Sequence, residues 1–278
     1  MKFSLSTNWC NRRCESGEEI VDQALALGFS EIELGFHTTA FQVAGFRRRL
    51  DEMPVGSVHA FCPVPISAPC GYPELYHLAS FDENEYRVAL VHVRRNIEFA
   101  ADIGADTLVL HAGRVSCAAW LPWRHEGNRR RRGAKLVAAF KPVLAQLADD
   151  LERRGVTLAL ENLPYPEGFP DETEIEALAG GRVRPWFDTG HDFVRARNGW
   201  KRAVENPSAP VGMHLSDSRG NDDHLAPGEG RVDFAALKPL ALAARHLVFE
   251  PNPAVSAESI KKGISHLMRL WSDPAARS

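Results

Sequence analysis

Six short apolar runs in this chain each end on a carboxylate or an imidazole. His59 ends GSVH, His111 ends TLVLH, Glu161 ends TLALE, Asp188 ends VRPWFD, His214 ends VGMH and Glu250 ends HLVFE. Runs of four to six residues rich in Val, Leu and Ile read as buried parallel strands. Such a strand gives no reason for a charged or titratable side chain at its last position. A pocket into which all the strand ends point does give one, and a closed barrel of parallel strands has that pocket at its C-terminal mouth.

Between these runs lie longer amphipathic segments. Strands are expected at Lys2–Ser6, Glu31–Leu34, Val55–His59, Thr107–His111, Thr157–Glu161, Val183–Asp188, Val211–His214 and His246–Glu250. Ser16 with Glu19 reads as a capping box opening a helix that Gly28 ends. Tyr86, Ala89, Leu90, Val93, Ile97 and Ala100 recur at three- and four-residue steps, which predicts a helix over Asp82–Ile103 closed by Gly104. Further helices are expected at Phe46–Met53, 133–154, Glu172–Leu178, Trp200–Val204, Phe234–Leu240 and Ala257–Trp271. Eight strands alternating with eight helices describe an α/β chain, a (β/α)8 TIM barrel occupying residues 1–278 as a single domain. An open doubly wound sheet would carry a glycine-rich turn after its first strand, and STNWCNRRC is not one. The segments after the third, fourth and seventh strands are long and share the side of the titratable row, whereas opposite connections such as Leu27–Glu31 are short.

The chain has 278 residues and a formal charge of -3, which disfavours a nucleic-acid partner without excluding one. Its cysteines (Cys10, Cys14, Cys62, Cys70, Cys117) are odd in number and lack a framework spacing, as expected for reduced thiols. MKFSLSTNWCNRR turns polar too soon for a signal peptide, and no apolar stretch nears the ~20 residues of a membrane span. A soluble, cytoplasmic protein with no membrane partner is the expectation, and a homo-oligomer is compatible with it.

Glu161, Asp188, His214 and Glu250 come from four consecutive strands and span half of a barrel rim. Three carboxylates and one imidazole form a mixed oxygen and nitrogen set suited to one divalent ion, Mn2+, Co2+, Mg2+ or Zn2+. The bland alternative, each acid paired with an arginine at its strand end, is strong for one residue and weak for four in series. The run Arg129–Arg132 reads as a solvated helix face or as a mouth-side anion contact. His37, His77, His92, His125, His246 and His266 show no ligand spacing and receive no role.

The motifs HAG at His111, ENLP at Glu161, FDTGHDF at Asp188, HLSDSRG at His214, DDHLAPGEGRVDF at Asp222 and VFEPN at Glu250 together make the chain resemble the xylose-isomerase-like barrels. That superfamily includes ketose 3-epimerases, hydroxypyruvate and inosose enzymes, and abasic-site nucleases of the endonuclease IV type. The resemblance to the sugar branch implies that Glu161 and Glu250 double as acid/base groups on opposite faces of a sugar substrate. They would isomerise or epimerise it through a metal-bound enediolate. It also implies that His59, His111, His191, Arg219 and His224 contact substrate oxygens. A lyase or dehydratase would begin with the same proton abstraction.

The nuclease branch implies a different use of the same residues. Nine ligands would hold three zinc ions: His59, His111, Glu161, Asp188, His191, His214, Asp222, His224 and Glu250. Trp123, Arg124 and Arg129–Arg132 would then meet phosphates. The turn LAPGEGRVDF, DTGH in place of DTCH, and the slight acidity of the chain favour the sugar branch. Asp217, however, stands where ketose epimerases usually carry glutamate. A sugar-binding barrel that has lost its chemistry is the non-enzymatic alternative, and the intact ligand set argues against it.

Overall fold

The computed structural model describes residues 1–115, 126–195, 204, 209–220 and 222–272. Eight parallel strands close into a barrel in chain order: β1 (Ser4–Ser6), β2 (Ile32–Leu34), β3 (Val55–His59), β4 (Thr107–Leu110), β5 (Thr157–Glu161), β6 (Val183–Asp188), β7 (Gly212–Leu215) and β8 (His246–Phe249). The ring closes where Ser4 of β1 pairs with Val248 of β8. His59, Glu161 and Asp188 are the last paired residues of their strands, whereas His111 and Glu250 directly follow the ends of theirs.

Helices cover the outside, and their ends follow local chemistry. The helix Gly17–Leu27 starts where the Ser16 hydroxyl accepts from the Glu19 N–H, and Gly28 ends it at φ 90°. The expected reciprocal bond is redirected: the Glu19 carboxylate accepts from the Glu15 N–H instead. Asp82 caps Glu83–Ile103, and Gly104 closes it at φ 87°. The next difference is larger. The helix expected over Phe46–Met53 runs over Ala40–Arg47, opened by a capping box between Thr39 and Gln42. That box sets the start, and the buried Gln42 amide donates to the Asn11 and Cys14 carbonyls, tying the helix to the loop after β1.

The helix expected over 133–154 is two, Glu126–Ala145 and Ala148–Arg154. The one expected at Phe234–Leu240 begins only at Lys238, because Pro239 fits a first turn where no N–H is needed. Trp120, Trp123, Arg124, Cys117, His125 and most of Trp200–Val204 lie outside the described residues. Among the described residues no helix is long and apolar enough to cross a membrane.

Two small antiparallel ladders brace the mouth, Gly113–Arg114 with Gly168–Phe169 and Asp217–Arg219 with Asp222–Leu225. Inside the barrel, Trp186, Val109, Ala159 and Val248 form their own apolar layer, each essentially inaccessible. The Trp186 ring meets His214 edge-on at 5.0 Å on one side and stacks at 6.1 Å with His246 on the other. Gly212 makes room for it: a Cβ there would lie 2.1 Å from the indole, so only glycine fits beneath this ring.

Candidate metal centre

The six rim residues converge as the strand pattern requires. Glu161 and Asp188 end β5 and β6, His214 sits near the end of β7, and Glu250 follows β8 directly. His214 Nδ1 lies 3.2 Å from Glu161 Oε1, 3.2 Å from Glu250 Oε2 and 3.7 Å from Asp188 Oδ2. One ligand atom from each of the four falls within 4.8 Å of the others, and all four residues are buried. Glu161 Oε2 and Asp188 Oδ2 find no hydrogen-bond partner among the described residues. Buried carboxylate oxygens left unsatisfied are costly. A divalent cation between them is the partner that fits these donor types.

Three of the imidazoles are anchored through Nδ1 to a backbone carbonyl. His59 Nδ1 donates to the Ala60 carbonyl at 3.0 Å, with Nε2 3.2 Å from Glu161 Oε2. His191 Nδ1 donates to the Asn162 carbonyl at 2.9 Å, and His224 Nδ1 to the Glu250 carbonyl at 2.8 Å. His111 Nε2 lies 3.2 Å from Glu161 Oε2. Anchoring of this kind is how proteins orient metal-binding histidines. Three further groups gather with ligand atoms within 4.8 Å of one another: His59, His111 and Glu161; Asp188, His191 and His224; and His59, His214 and Glu250. Asp222 opens the second strand of the mouth hairpin, and its side chain lies outside the described residues.

Charges at this site are strongly shifted. Burial works against ionisation everywhere, yet Glu250, Glu33 and Glu161 hold the His214 pKa well above the ordinary histidine range. Burial likewise opposes charge on Glu161, but His214 and His111 keep it well below the usual carboxylate range. His191 rises to about 10 against its burial, chiefly through Asp188 and Glu161. The carboxylates demand positive charge, and the protons on these rings stand where a cation would serve.

A family profile described as a xylose isomerase-like TIM barrel matches residues 21–269. The chain belongs to that family. Solved structures share its fold across nearly the whole chain. One is a D-tagatose 3-epimerase-like protein, 18% identical, with 98% of this chain and 97% of that one covered and a TM-score of 0.70. Another is the 3-keto-D-glucoside 4-epimerase YcjR from E. coli in its apo form, 19% identical over 97% and 99%, with a TM-score of 0.73. A third is the IOLI protein with a bound zinc atom, 14% identical over 98% of each chain, with a TM-score of 0.71. Among curated proteins none matches the chain.

Within this xylose isomerase-like barrel, three functional positions escape sequence reasoning. Glu33, in β2, is fully buried and accepts from His214 Nε2 at 3.1 Å, while the Ser57 hydroxyl donates to its other oxygen at 2.8 Å. It fixes the His214 ring so that Nδ1 faces the carboxylates. The alternation of EIEL is its only sequence signal, since Glu33 does not end its strand. Asn8 donates Nδ2 to Glu250 Oε1 at 2.9 Å, leaving Oε2 toward His214. Glu74, from the loop after β3, is held by Arg114 Nε at 2.6 Å and lies 3.7 Å from His111 Nδ1.

Asp217 has a different task from the glutamate expected at its place. Its carboxylate, 1% exposed, accepts from the backbone N–H groups of Ser218, Gly228, Gly230 and Val232 at 2.8 to 2.9 Å. It knots the turn APGEGRV beneath the hairpin that carries His224. His224 itself sits at φ 57°, the one non-glycine residue with positive φ among the described residues. Such a conformation costs on the order of 1–3 kcal/mol and persists only where surroundings impose it. Here the Glu250 carbonyl and the Asn252 N–H grip it from one side. Asp217→Ala would strand four N–H groups, one buried and three partly buried, so urea denaturation is expected to show a loss of roughly 2–3 kcal/mol. A change below about 1 kcal/mol would mean that the turn holds itself.

The basic run meets one of its expected readings only in part. Arg129 is buried, donates to both Glu174 oxygens and to the Pro166 and Gly168 carbonyls, and is thus a clamp between helices. It is not a free phosphate contact. Arg219, expected to meet substrate, donates Nε to the Glu229 carbonyl at 2.5 Å.

Proposed function

We propose that the chain, acting as one domain, is a divalent-metal-dependent isomerase or epimerase of a sugar or related polyhydroxy carbonyl compound. One observation carries the reading: four buried side chains of metal-binding type converge within 4.8 Å, and two of their oxygens are otherwise unsatisfied. Glu161, Asp188, His214 and Glu250 would hold the ion. When bound, it would place positive charge beside the substrate oxygens and offset the negative charge that develops as a C–H proton leaves.

The chain's own residues supply the rest. Glu161 and Glu250 reach the centre from strands on different sides of it. One carboxylate would take the proton from the carbon beside the carbonyl, and the other, entering the step as the carboxylic acid, would deliver its own proton to the opposite face or to the neighbouring carbon. Asn8 orients Glu250 for this step by donating to Oε1, with Oε2 turned toward His214. His59, His111, His191 and His224 crowd the same pocket with nitrogens able to bind hydroxyl groups, and Arg219 stands at its edge on the hairpin. The apolar layer under His214 keeps water from below. The D-tagatose 3-epimerase-like protein and the 3-keto-D-glucoside 4-epimerase of like fold support this reading, since such barrels host that chemistry in other proteins. A lyase or dehydratase would use the same first step and is told apart by its product.

A second reading has an observation of its own. The groups around His59–His111–Glu161 and Asp188–His191–His224 share Glu161 and Asp188 with the first, as a multi-zinc hydrolytic centre acting on abasic DNA would require. Elemental analysis of purified, unchelated protein separates the two. About one equivalent of Mn, Co, Mg or Zn per chain, with turnover of a ketose or keto-sugar, is expected. Close to three equivalents of zinc with cleavage of abasic DNA would overturn the isomerase reading.

A further inference from the structure

Several arginines on the mouth-side loops are committed to partners within the chain. Arg13 stacks 4.0 Å over Trp9 and donates to the Trp9 and Pro253 carbonyls. Arg114 is paired with Glu74, Arg129 with Glu174, and Arg195 reaches Asp171 at 3.8 Å. Arg219 is spent on the Glu229 carbonyl. Arg12 differs. It is exposed, its Nη2 donates to His37 Nε2 at 2.9 Å, and it has no carboxylate partner among the described residues.

The partner matters, because it leaves the charge uncancelled. Burial, the adjacent Arg12 charge and His59 lower the His37 pKa to about 4, so the ring is neutral at physiological pH. Its Nε2 lone pair accepts from Arg12, and the ring also hydrogen-bonds the Gly71 backbone. A neutral imidazole thus holds the guanidinium in place without quenching it.

The position is built rather than incidental. Arg12 comes from the loop after β1, His37 from the loop after β2, and Gly71 from the loop after β3. The His37 N–H donates to Asn8 Oδ1 at 3.3 Å, and the Asn8 amide donates to Glu250 Oε1. The His37 ring leans on Phe36 at 4.6 Å, and Phe36 meets His59 edge-on at 5.0 Å. Two side-chain links therefore connect this cation to the proposed proton-transfer centre. A Cβ at Gly71 would collide with Phe36 O at 1.9 Å, so the loop after β3 closes tightly against this corner.

We propose that Arg12, held by His37, is an anion-recognising subsite at the rim of the mouth. The substrate is then a polyhydroxy carbonyl compound with a carboxylate or phosphate at the end remote from the reacting carbons. This deepens the isomerase reading and rests on it for the identity of the reacting end. A guanidinium with free N–H groups suits either anion, since its planar fork can donate to two oxygens at once.

The test is calorimetric titration of the metal-replete chain with D-fructose, D-fructose 6-phosphate and D-fructuronate, with turnover read on the same samples. At least one anionic ketose is expected to bind about tenfold more tightly than D-fructose, and the better one identifies the anion. Arg12→Gln is expected to erase most of that preference, and Arg12→Lys to keep part of it. A wild-type chain with no anion preference, or an Arg12→Gln variant that keeps it, overturns the subsite. Turnover without preference removes the subsite and leaves the isomerase reading. Preference lost in the variant, without turnover of any ketose, keeps the subsite and removes the isomerase reading.

Discussion

Glu161→Gln is expected to lower kcat by roughly 10^3-fold at saturating metal, within the range that acid/base groups supply. The residue is the hub of the site: His59, His111, His191 and His214 all place a nitrogen 3.2 to 3.3 Å from its oxygens. Glutamine keeps the shape but removes both the negative charge and the basic oxygen. Far-UV circular dichroism should be unchanged, because the carboxylate faces the mouth and not the helix layer. Glu250→Gln should behave alike, since a two-base mechanism needs both. A rate within tenfold of wild type for either variant would dispose of proton transfer between them.

The second large effect is on stability. Glu161, Asp188 and Glu250 crowd one another in a buried cluster, balanced by the neighbouring imidazoles and by donors such as the Asn8 amide and the Ser216 hydroxyl, and a divalent ion would add charge compensation beyond these. An ion at a thousand times its Kd adds about 4.1 kcal/mol to the folded state. For a chain of this size that corresponds to a fall of roughly 10 °C in thermal midpoint on chelation. Scanning calorimetry before and after treatment with a chelator, then after adding back Mn2+, Co2+ or Zn2+, measures it. A midpoint that does not move would show that these side chains satisfy one another without an ion.

Much of this architecture could be read before any coordinates, for a physical reason. A parallel strand buried on both faces is a continuous apolar run, so a titratable residue at its end stands out. The barrel, its eight strands and the convergence of Glu161, Asp188, His214 and Glu250 all follow from that contrast. Glu33 was hidden because it lies inside a strand, where alternation with Ile32 and Leu34 resembles an ordinary half-exposed edge. The role of Asp217 was hidden because its partners lie up to fifteen residues downstream in a turn whose path no local pattern encodes. Arg12 and His37 meet only because the first two βα loops fold over one another. The displaced helix at Ala40–Arg47 had a legible start in Thr39 and Gln42, outweighed by the apolar residues beyond it.

The buried apolar layer around the Trp186 indole has a consequence for traffic. With Val109, Ala159 and Val248 around it, the indole forms a fully buried apolar layer that, among the described residues, separates the candidate metal centre from the opposite end of the barrel. Whatever enters between the βα loops must leave the same way, so reactant and product contend for a single doorway. The isomerase proposed above would interconvert compounds of similar energy, so its turnover would run close to equilibrium. Its net direction would then be set by whichever reaction upstream or downstream keeps one of the two compounds scarce.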